Sequence, residues 1–298
     1  MQKNSYLRTR KKCLNMRTTI LNRRFPSIVD MGIMLLLFFV SQLLFSLILA
    51  AFGFVLPATS AIDAVDVETY MNEQVALAHY TAIVYPLSFL FSIGLLWLYV
   101  RLRGGKKAIH IRHSAAGFNP TMVLFGVVWL MAAQIVLEPL MSVLPSSESR
   151  GLGRGIWACL TAVCSAAILE ELLCRGLIFE TLHKRWGVKT SILFSSLFFG
   201  LMHLDFATMI VAVVAGVIFG ILYVRTSSLY TTIIIHAINN AMAFAMICFG
   251  VGDMSLRDIV GGGVPYYVAY GVATLIFVVF FVESYFKVFR GRTNLEKS

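Results

Sequence analysis

Charged side chains are scarce in this sequence, and their scarcity excludes an ordinary soluble domain. Only 13% of the 298 residues are Asp, Glu, Lys or Arg, whereas soluble domains contain about 25%. Hydrophobic residues make up 58% of the chain, which is more than a soluble fold of this size usually carries. The composition therefore predicts an integral membrane protein.

Cysteine is scarce as well, and its spacing excludes the common zinc modules. The five cysteines include neither a CxxC pair nor the Cys/His spacing of a structural zinc site, so we interpret them as unpaired packing residues. They are Cys13, Cys159, Cys164, Cys174 and Cys248. The sequence also lacks an evident internal repeat, which disfavours a transporter built from inverted repeats.

Long apolar runs predict an all-α membrane protein with about eight transmembrane helices. Seven windows have roughly 20 residues, the length that crosses about 30 Å of hydrocarbon at 1.5 Å per residue. An eighth, shorter window covers 191–204. An even number of crossings puts both termini on the same side of the membrane. The seven long windows fall near 31–56, 80–100, 120–145, 156–182, 206–224, 229–250 and 264–286.

The distribution of Lys and Arg predicts which side that is. In the eight-span arrangement, 21 of the 25 Lys and Arg residues fall on the face that carries the termini. The opposite face receives only Arg150, Arg154 and Arg257. Because cytoplasmic loops are enriched in Lys and Arg, both termini are expected to be cytoplasmic. The net charge of +10 is then explained by topology, so we expect membrane lipids and no nucleic acid as partners.

The same pattern divides the chain into three parts. Residues 1–29 form a basic cytoplasmic N-terminal arm, residues 30–286 a single transmembrane helical domain, and residues 287–298 a cytoplasmic C-terminal tail. The arm precedes an apolar run that is too long for the hydrophobic region of a cleavable signal peptide. We therefore expect the first apolar run to remain in the protein as a membrane helix.

Six polar residues interrupt the apolar segments in the second half of the chain. Glu170 and Glu171 are adjacent, and Arg175 follows one helical turn later. The other three are His203, His236 and Asn240. An ionisable group inside a membrane span costs several kcal/mol unless it finds a partner or water, so such residues mark functional sites. The helical rise per residue places all six at a similar depth, and we expect them to form one site.

Helical geometry assigns different roles to the two glutamates. Glu171 and Arg175 are four residues apart and should form an ion pair on one helix face. Glu170 points away from Arg175, so its carboxylate is available as a general base that activates water. We assign His203 to orient that water, and we assign His236 and Asn240 to stabilise the oxyanion formed during peptide hydrolysis.

Other uses of these residues remain open. Glu170, His203 and His236 could bind catalytic Zn²⁺, because two histidines and a glutamate form a known zinc set. Asn240 fits an oxyanion site better than a zinc shell, so we favour chemistry without a metal. Buried acids and histidines also form proton pathways in transporters.

Three short motifs resemble those of a known protease family. The segments E-E-L-L-C-R, F-G-L-M-H and H-A-I-N-N resemble the EExxxR, FxxxH and HxxxN motifs of the CAAX prenyl protease and bacteriocin-processing family, also called the Abi family. They occur in the family's order within a core at 155–250. The resemblance implies catalytic roles for Glu170, His203, His236 and Asn240. It implies supporting roles for Glu171, Arg175 and Phe199.

The resemblance implies an intramembrane endopeptidase that acts on a membrane-associated protein or peptide. In the eukaryotic branch of the family, the substrates are prenylated CAAX proteins. The compact, basic chain resembles bacterial members, so we expect a multi-pass protein of the bacterial inner (plasma) membrane. No cofactor is expected, with Zn²⁺ as the alternative. A non-catalytic immunity or membrane partner protein with the same fold is a further alternative.

Overall fold

The computed structural model describes residues 25–58, 65–104, 118–144, 153–252 and 254–290. Within these ranges the chain forms helices joined by short connections and contains no strand. Seven of the helices described there are long and apolar enough to cross a membrane. The predicted all-α membrane architecture is therefore confirmed. Most of the basic arm, Cys13 among it, and the tail beyond Arg290 lie outside the described residues.

The described helices are numbered here in chain order, and the fourth is the longest of them. That helix, α4, contains 46 residues, about twice the number needed to cross a bilayer. The helices are α1 (Ile28–Ala51), α2 (Val67–Gly104), α3 (Pro120–Met141), α4 (Ile156–Leu201), α5 (Phe206–Thr226), α6 (Leu229–Cys248), the short α7 (Leu256–Val260) and α8 (Gly263–Phe289).

Gly187 divides α4 into two arms. Its backbone has φ 74° and ψ 179°, a conformation that residues with a side chain rarely adopt. Arg175 and Phe199 are equally far from Gly187 along the chain, yet the guanidinium of Arg175 lies 5.0 Å from the ring centre of Phe199. The two arms must therefore run antiparallel. Counted as two crossings, α4 completes the predicted set of eight, while the cytoplasmic location of the termini and the domain boundaries stay predictions.

A buried aspartate anchors α1 to α2. Asp30 forms a capping box with Ser27 at the start of α1. The same carboxylate accepts a hydrogen bond from the Tyr99 hydroxyl at 2.5 Å and pairs with Arg103 at 3.0 Å. Because Tyr99 and Arg103 belong to α2, these bonds fix the two helices against each other at one end of the bundle.

Small residues bring α5 close to the second arm of α4. A Cβ atom on Gly216 would lie 2.9 Å from Cα of Ser196, and one on Gly220 would lie 3.2 Å from the side chain of Ile192. Glycine at these positions permits close approach of the two helix backbones, as is common between membrane helices. In the same region, the carbonyl oxygen of Gly216 accepts a hydrogen bond from Arg175, which belongs to the first arm of α4.

Candidate active site

The first arm of α4 carries both glutamates on a single α-helical turn. Ala167–Glu171 is α-helical, whereas Leu160–Ala166 before it and Leu172–Phe179 after it are π-helical. Such π segments are rare and occur often at functional sites, because their wider winding changes which side chains face a neighbour. Glu171 is fully buried and Glu170 is 7% exposed. Both carboxylates are thus held inside the helix bundle.

Glu171 and Arg175 form the predicted ion pair. Their side chains are fully buried and lie 2.6 Å apart. A second guanidinium nitrogen of Arg175 donates to the carbonyl oxygen of Gly216 at 2.8 Å. The rings of Phe199 and Phe219 each lie about 5 Å from the guanidinium, a distance at which a cation is attracted to an aromatic face. The charge of Glu171 is therefore neutralised within the bundle.

Glu170 has a different environment. Its Oε1 accepts a hydrogen bond from the hydroxyl of Tyr85, which belongs to α2. Its Oε2 is buried and has no hydrogen-bond partner among the described residues. No Lys or Arg side chain of the described ranges pairs with this carboxylate. One oxygen of Glu170 is thus held by a neutral donor and the other is available.

His236 lies between the two glutamates. Its Nε2 is 3.8 Å from Glu170 Oε2, and its Nδ1 is 3.5 Å from Glu171 Oε1. The imidazole stacks on the Phe219 ring with centroids 5.0 Å apart, and the Phe199 ring meets it edge-on at 5.7 Å. The structure therefore brings Glu170, Glu171 and His236 into one cluster, as expected.

His203 lies outside the helix in which the sequence places it. The second arm of α4 ends at Leu201, and His203 occupies the turn before α5. Its Nδ1 lies 2.9 Å from the carbonyl oxygen of Phe199. Because a carbonyl only accepts, Nδ1 donates in this contact, and in the neutral form of the ring Nε2 then has the lone pair. The expectation that His203 lies within a helical span is therefore corrected, since its ring nitrogen ends the helix by binding a backbone carbonyl.

The ring of Phe199 contacts both histidines. Its centroid lies 5.2 Å from that of His203 and 5.7 Å from that of His236. No hydrogen bond or ion pair joins His203 to Glu170 in the described parts of the chain. Phe199 thus contacts both imidazoles and the Arg175 guanidinium, and it defines the spacing of the site.

Asn240 reaches the first arm of α4 through its amide. Its Nδ2 donates to the carbonyl oxygen of Ala162 at 2.9 Å, within the π-helical segment Leu160–Ala166. Asn239 contacts Asn240 at 3.4 Å, and Gln134 of α3 donates to Asn239 at 2.7 Å. These three carboxamides form a row that we call the amide row. A carboxamide nitrogen has two hydrogens, so Asn240 retains one for another acceptor.

Two parts of this arrangement were missed by the reasoning from sequence. The only unusual feature near Tyr85 in the sequence is the next residue, Pro86, because a proline interrupts the backbone hydrogen bonds of a helix interior. Gln134 is a lone carboxamide in the apolar window 120–145, and such a residue needs a partner inside a membrane. Neither signal identifies the partner.

The proposed zinc ligands do not assemble in the described residues. No group of three or more His, Cys, Asp or Glu side chains in those ranges is arranged to hold a metal ion. The four cysteines of the described ranges are unpaired, as predicted. Chemistry with or without a metal stays a prediction that chelation can test.

Comparison with known proteins agrees with the motif assignment. Residues 152–242 match the family described as Type II CAAX prenyl endopeptidase Rce1-like. This range contains all three motifs, so the resemblance is confirmed for that part of the chain. No solved structure matches the chain.

A curated relative matches a similar fraction of the chain. The protein named "Putative membrane peptidase YdiL" of Bacillus subtilis (strain 168) is 32% identical over 79 residues. The matched region is 26% of this chain and 32% of that protein, so the chain spans about a third of the length of the relative. Together with the helices of spanning length, the matches indicate a multi-pass membrane protein, part of which resembles membrane peptidases.

Proposed function

We propose, from the peptidase match and the geometry around Glu170, that this protein is an intramembrane endopeptidase. It hydrolyses a peptide bond in a membrane-associated protein or peptide, and Glu170 activates the attacking water. The observation that carries the proposal is that Glu170 Oε2 is buried, unpartnered within the described residues and 3.8 Å from Nε2 of His236. The protein would act in the bacterial inner membrane without a cofactor.

The separation of these two atoms suits a water molecule. A hydrogen bond to water spans about 2.8 Å, so one water can contact both atoms when they lie 3.8 Å apart. A general base must be within hydrogen-bond reach of the proton that it removes. Glu170 Oε2 meets this requirement for a water held against His236.

The proposed reaction then follows the ordinary course of peptide hydrolysis. Glu170 Oε2 accepts a proton as the water oxygen attacks the carbonyl carbon of the substrate. The carbonyl oxygen becomes an oxyanion, and the proton held by Glu170 passes to the nitrogen of the scissile bond. The carbon–nitrogen bond breaks and leaves a new carboxylic acid and a new amine, and the acid then passes its proton to the amine to give a carboxylate and an ammonium group. The carboxylate of Glu170 is regenerated.

Three further polar side chains support this reaction. His236 has the ring nitrogen closest to the proposed water, and we assign its N–H to the oxyanion. Asn240 contributes the amide hydrogen that Ala162 does not use. His203 keeps a lone pair on Nε2, with which it can accept a hydrogen from water and orient it. Oriented donors of this kind stabilise developing charge strongly in a site from which bulk water is excluded.

The proposal is tested by comparing membrane proteomes. Cells carrying the wild-type protein and cells carrying Glu170→Gln should differ by at least one peptide fragment that only the wild type produces. Glu138→Gln is the matched control, because Glu138 lies on α3 and contacts the backbone of Arg257 rather than the cluster. Identical fragments from wild type and Glu170→Gln at equal protein levels would reject the assignment.

A further inference from the structure

Tyr85 reaches the candidate active site from outside the region that matches the protease family. It belongs to α2, whereas the family match covers residues 152–242. Its hydroxyl donates to Oε1 of Glu170. The proposed base therefore has a partner that neither the three motifs nor the family match includes.

The position of the Tyr85 ring is determined by packing within α2. The ring stacks on Phe89 with centroids 4.6 Å apart and planes inclined by 25°. The backbone carbonyl of Tyr85 accepts a hydrogen bond from Ser88 at 2.9 Å. Ser92, one turn further on, lies 2.5 Å from Ser41 and so ties α2 to α1. The phenol is thus directed at α4 by contacts that do not involve Glu170.

This contact makes the two oxygens of Glu170 inequivalent. The terminal torsion of a glutamate side chain is soft, so an unrestrained carboxylate can present either oxygen. The Tyr85 bond holds Oε1, and Oε2 then lies 3.8 Å from Nε2 of His236. A fixed carboxylate keeps the basic oxygen in position before a substrate arrives, which is how supporting contacts preorganise a catalytic group.

The surroundings of Glu170 show why a neutral donor suits this role. The groups that face it are Tyr85 from α2, His236 from α6, and Cys174 and the paired Glu171 on its own helix. An arginine in place of Tyr85 would neutralise the carboxylate as Arg175 neutralises Glu171. A phenol hydroxyl stabilises the ionised form by hydrogen bonding and leaves the negative charge available.

We infer that Tyr85 is a positioning residue that holds Oε1 of Glu170, so that Oε2 acts as the base. The inference rests on the proposed function. It adds α2 to the elements that build the site.

The test compares two tyrosines of the same helix. Tyr85→Phe removes the hydroxyl that contacts Glu170 and keeps the ring that stacks on Phe89. Tyr99→Phe is the matched control, because the Tyr99 hydroxyl also donates from α2 to a carboxylate, that of Asp30. Both variants lose one hydrogen bond between helices, and the midpoint of thermal unfolding reports how far each loss affects folding.

The first readout needs no substrate. Dicyclohexylcarbodiimide is a hydrophobic reagent that modifies protonated carboxyl groups, and mass spectrometry can quantify its addition to Glu170 in the purified full-length protein. Tyr85→Phe should increase the labelling rate on the order of tenfold, because the hydroxyl no longer occupies Oε1 and a hydrogen bond to a charged group is lost. Tyr99→Phe should match the wild type, and Glu170→Gln is the blank.

The outcomes separate this inference from the proposed function. The second readout is cleavage of the precursor from which the fragment found by the proteome comparison is released, for which Tyr85→Phe should lower kcat with little change in KM. If Glu170 is labelled at the same rate in Tyr85→Phe as in the wild type, the positioning role is refuted, even when Glu170→Gln is inactive. If Glu170→Gln cleaves normally, the proposed function itself fails.

Discussion

His236 contacts two glutamates that differ in their charge partners, with Nε2 3.8 Å from Glu170 and Nδ1 3.5 Å from Glu171. Arg175 neutralises Glu171, whereas Tyr85 donates to Glu170 without neutralising it. Adjacent residues of the same type are thereby divided between a structural role and a chemical one. The difference in charge partners leads to different predictions for the stability of Glu170→Gln and Glu171→Gln.

Glu171→Gln should destabilise the protein far more than Glu170→Gln does. Removing one partner of a buried ion pair typically costs about 3–5 kcal/mol, because the other charge stays buried and unpaired. Glu171→Gln would leave Arg175 in that state, whereas Glu170 has no cation to leave behind. Thermal unfolding of the two variants in the same detergent measures the difference. Equal unfolding midpoints for both variants would contradict the division of roles.

Asn240→Ala should reduce the cleavage rate on the order of 10²–10³-fold, the usual cost of losing one donor to an oxyanion. Asn240 also donates a hydrogen bond to the carbonyl oxygen of Ala162, so the fraction of folded protein must be measured together with the cleavage rate. Asn239→Ala is the control from the same amide row and should have a much smaller effect on kcat. A rate for Asn240→Ala that matches that of Asn239→Ala would remove Asn240 from the oxyanion site.

Phe199→Leu should impair activity more than Phe198→Leu does. Phe199 contacts the imidazoles of His203 and His236 and the guanidinium of Arg175. Phe198 is also buried, yet it packs against Phe38 of α1. Both substitutions remove one aromatic ring, and only the first changes the spacing of the site. Cleavage rates at equal folded protein provide the comparison, and a larger loss in Phe198→Leu would argue against this role of Phe199.

Cleavage should survive thorough chelation. The reaction proposed here uses Glu170, His203, His236 and Asn240 without a metal, so exposure to a strong zinc chelator should leave kcat unchanged. Loss of activity on chelation, with recovery on adding Zn²⁺ and not Mg²⁺, would support the zinc alternative. The measurement requires the purified protein and the precursor of the fragment identified from membranes.

The features that follow from local sequence were predictable. Apolar runs of spanning length predict the helices, and residues four apart on a helix predict the pairing of Glu171 with Arg175. The two crossings of α4 were also predicted, because 156–182 and 191–204 are two separate apolar windows in the sequence. In each case, the information lies within one or two helical turns or in the length of a single run.

The features that depend on contacts between distant helices were not predictable. The spacing of Phe199 and His203 fits a continuing helix as well as one that ends there, since the contact uses the Phe199 backbone carbonyl. The contact of Asn240 with Ala162 depends on a π-helical winding that side-chain patterns do not encode. Tyr85 and Glu170 are 85 residues apart, and only the packing of α2 against α4 brings them together.

The most direct test of the proposed chemistry is the rate at which Glu170→Gln cleaves the precursor of the fragment that the wild-type protein produces. Glutamine preserves the shape of the side chain and removes the base. The proposed role predicts a loss of kcat on the order of 10⁴-fold or more, as for removal of a central catalytic group, with an unfolding midpoint close to that of the wild type. Cleavage by folded Glu170→Gln within a few-fold of the wild-type rate would contradict the central claim.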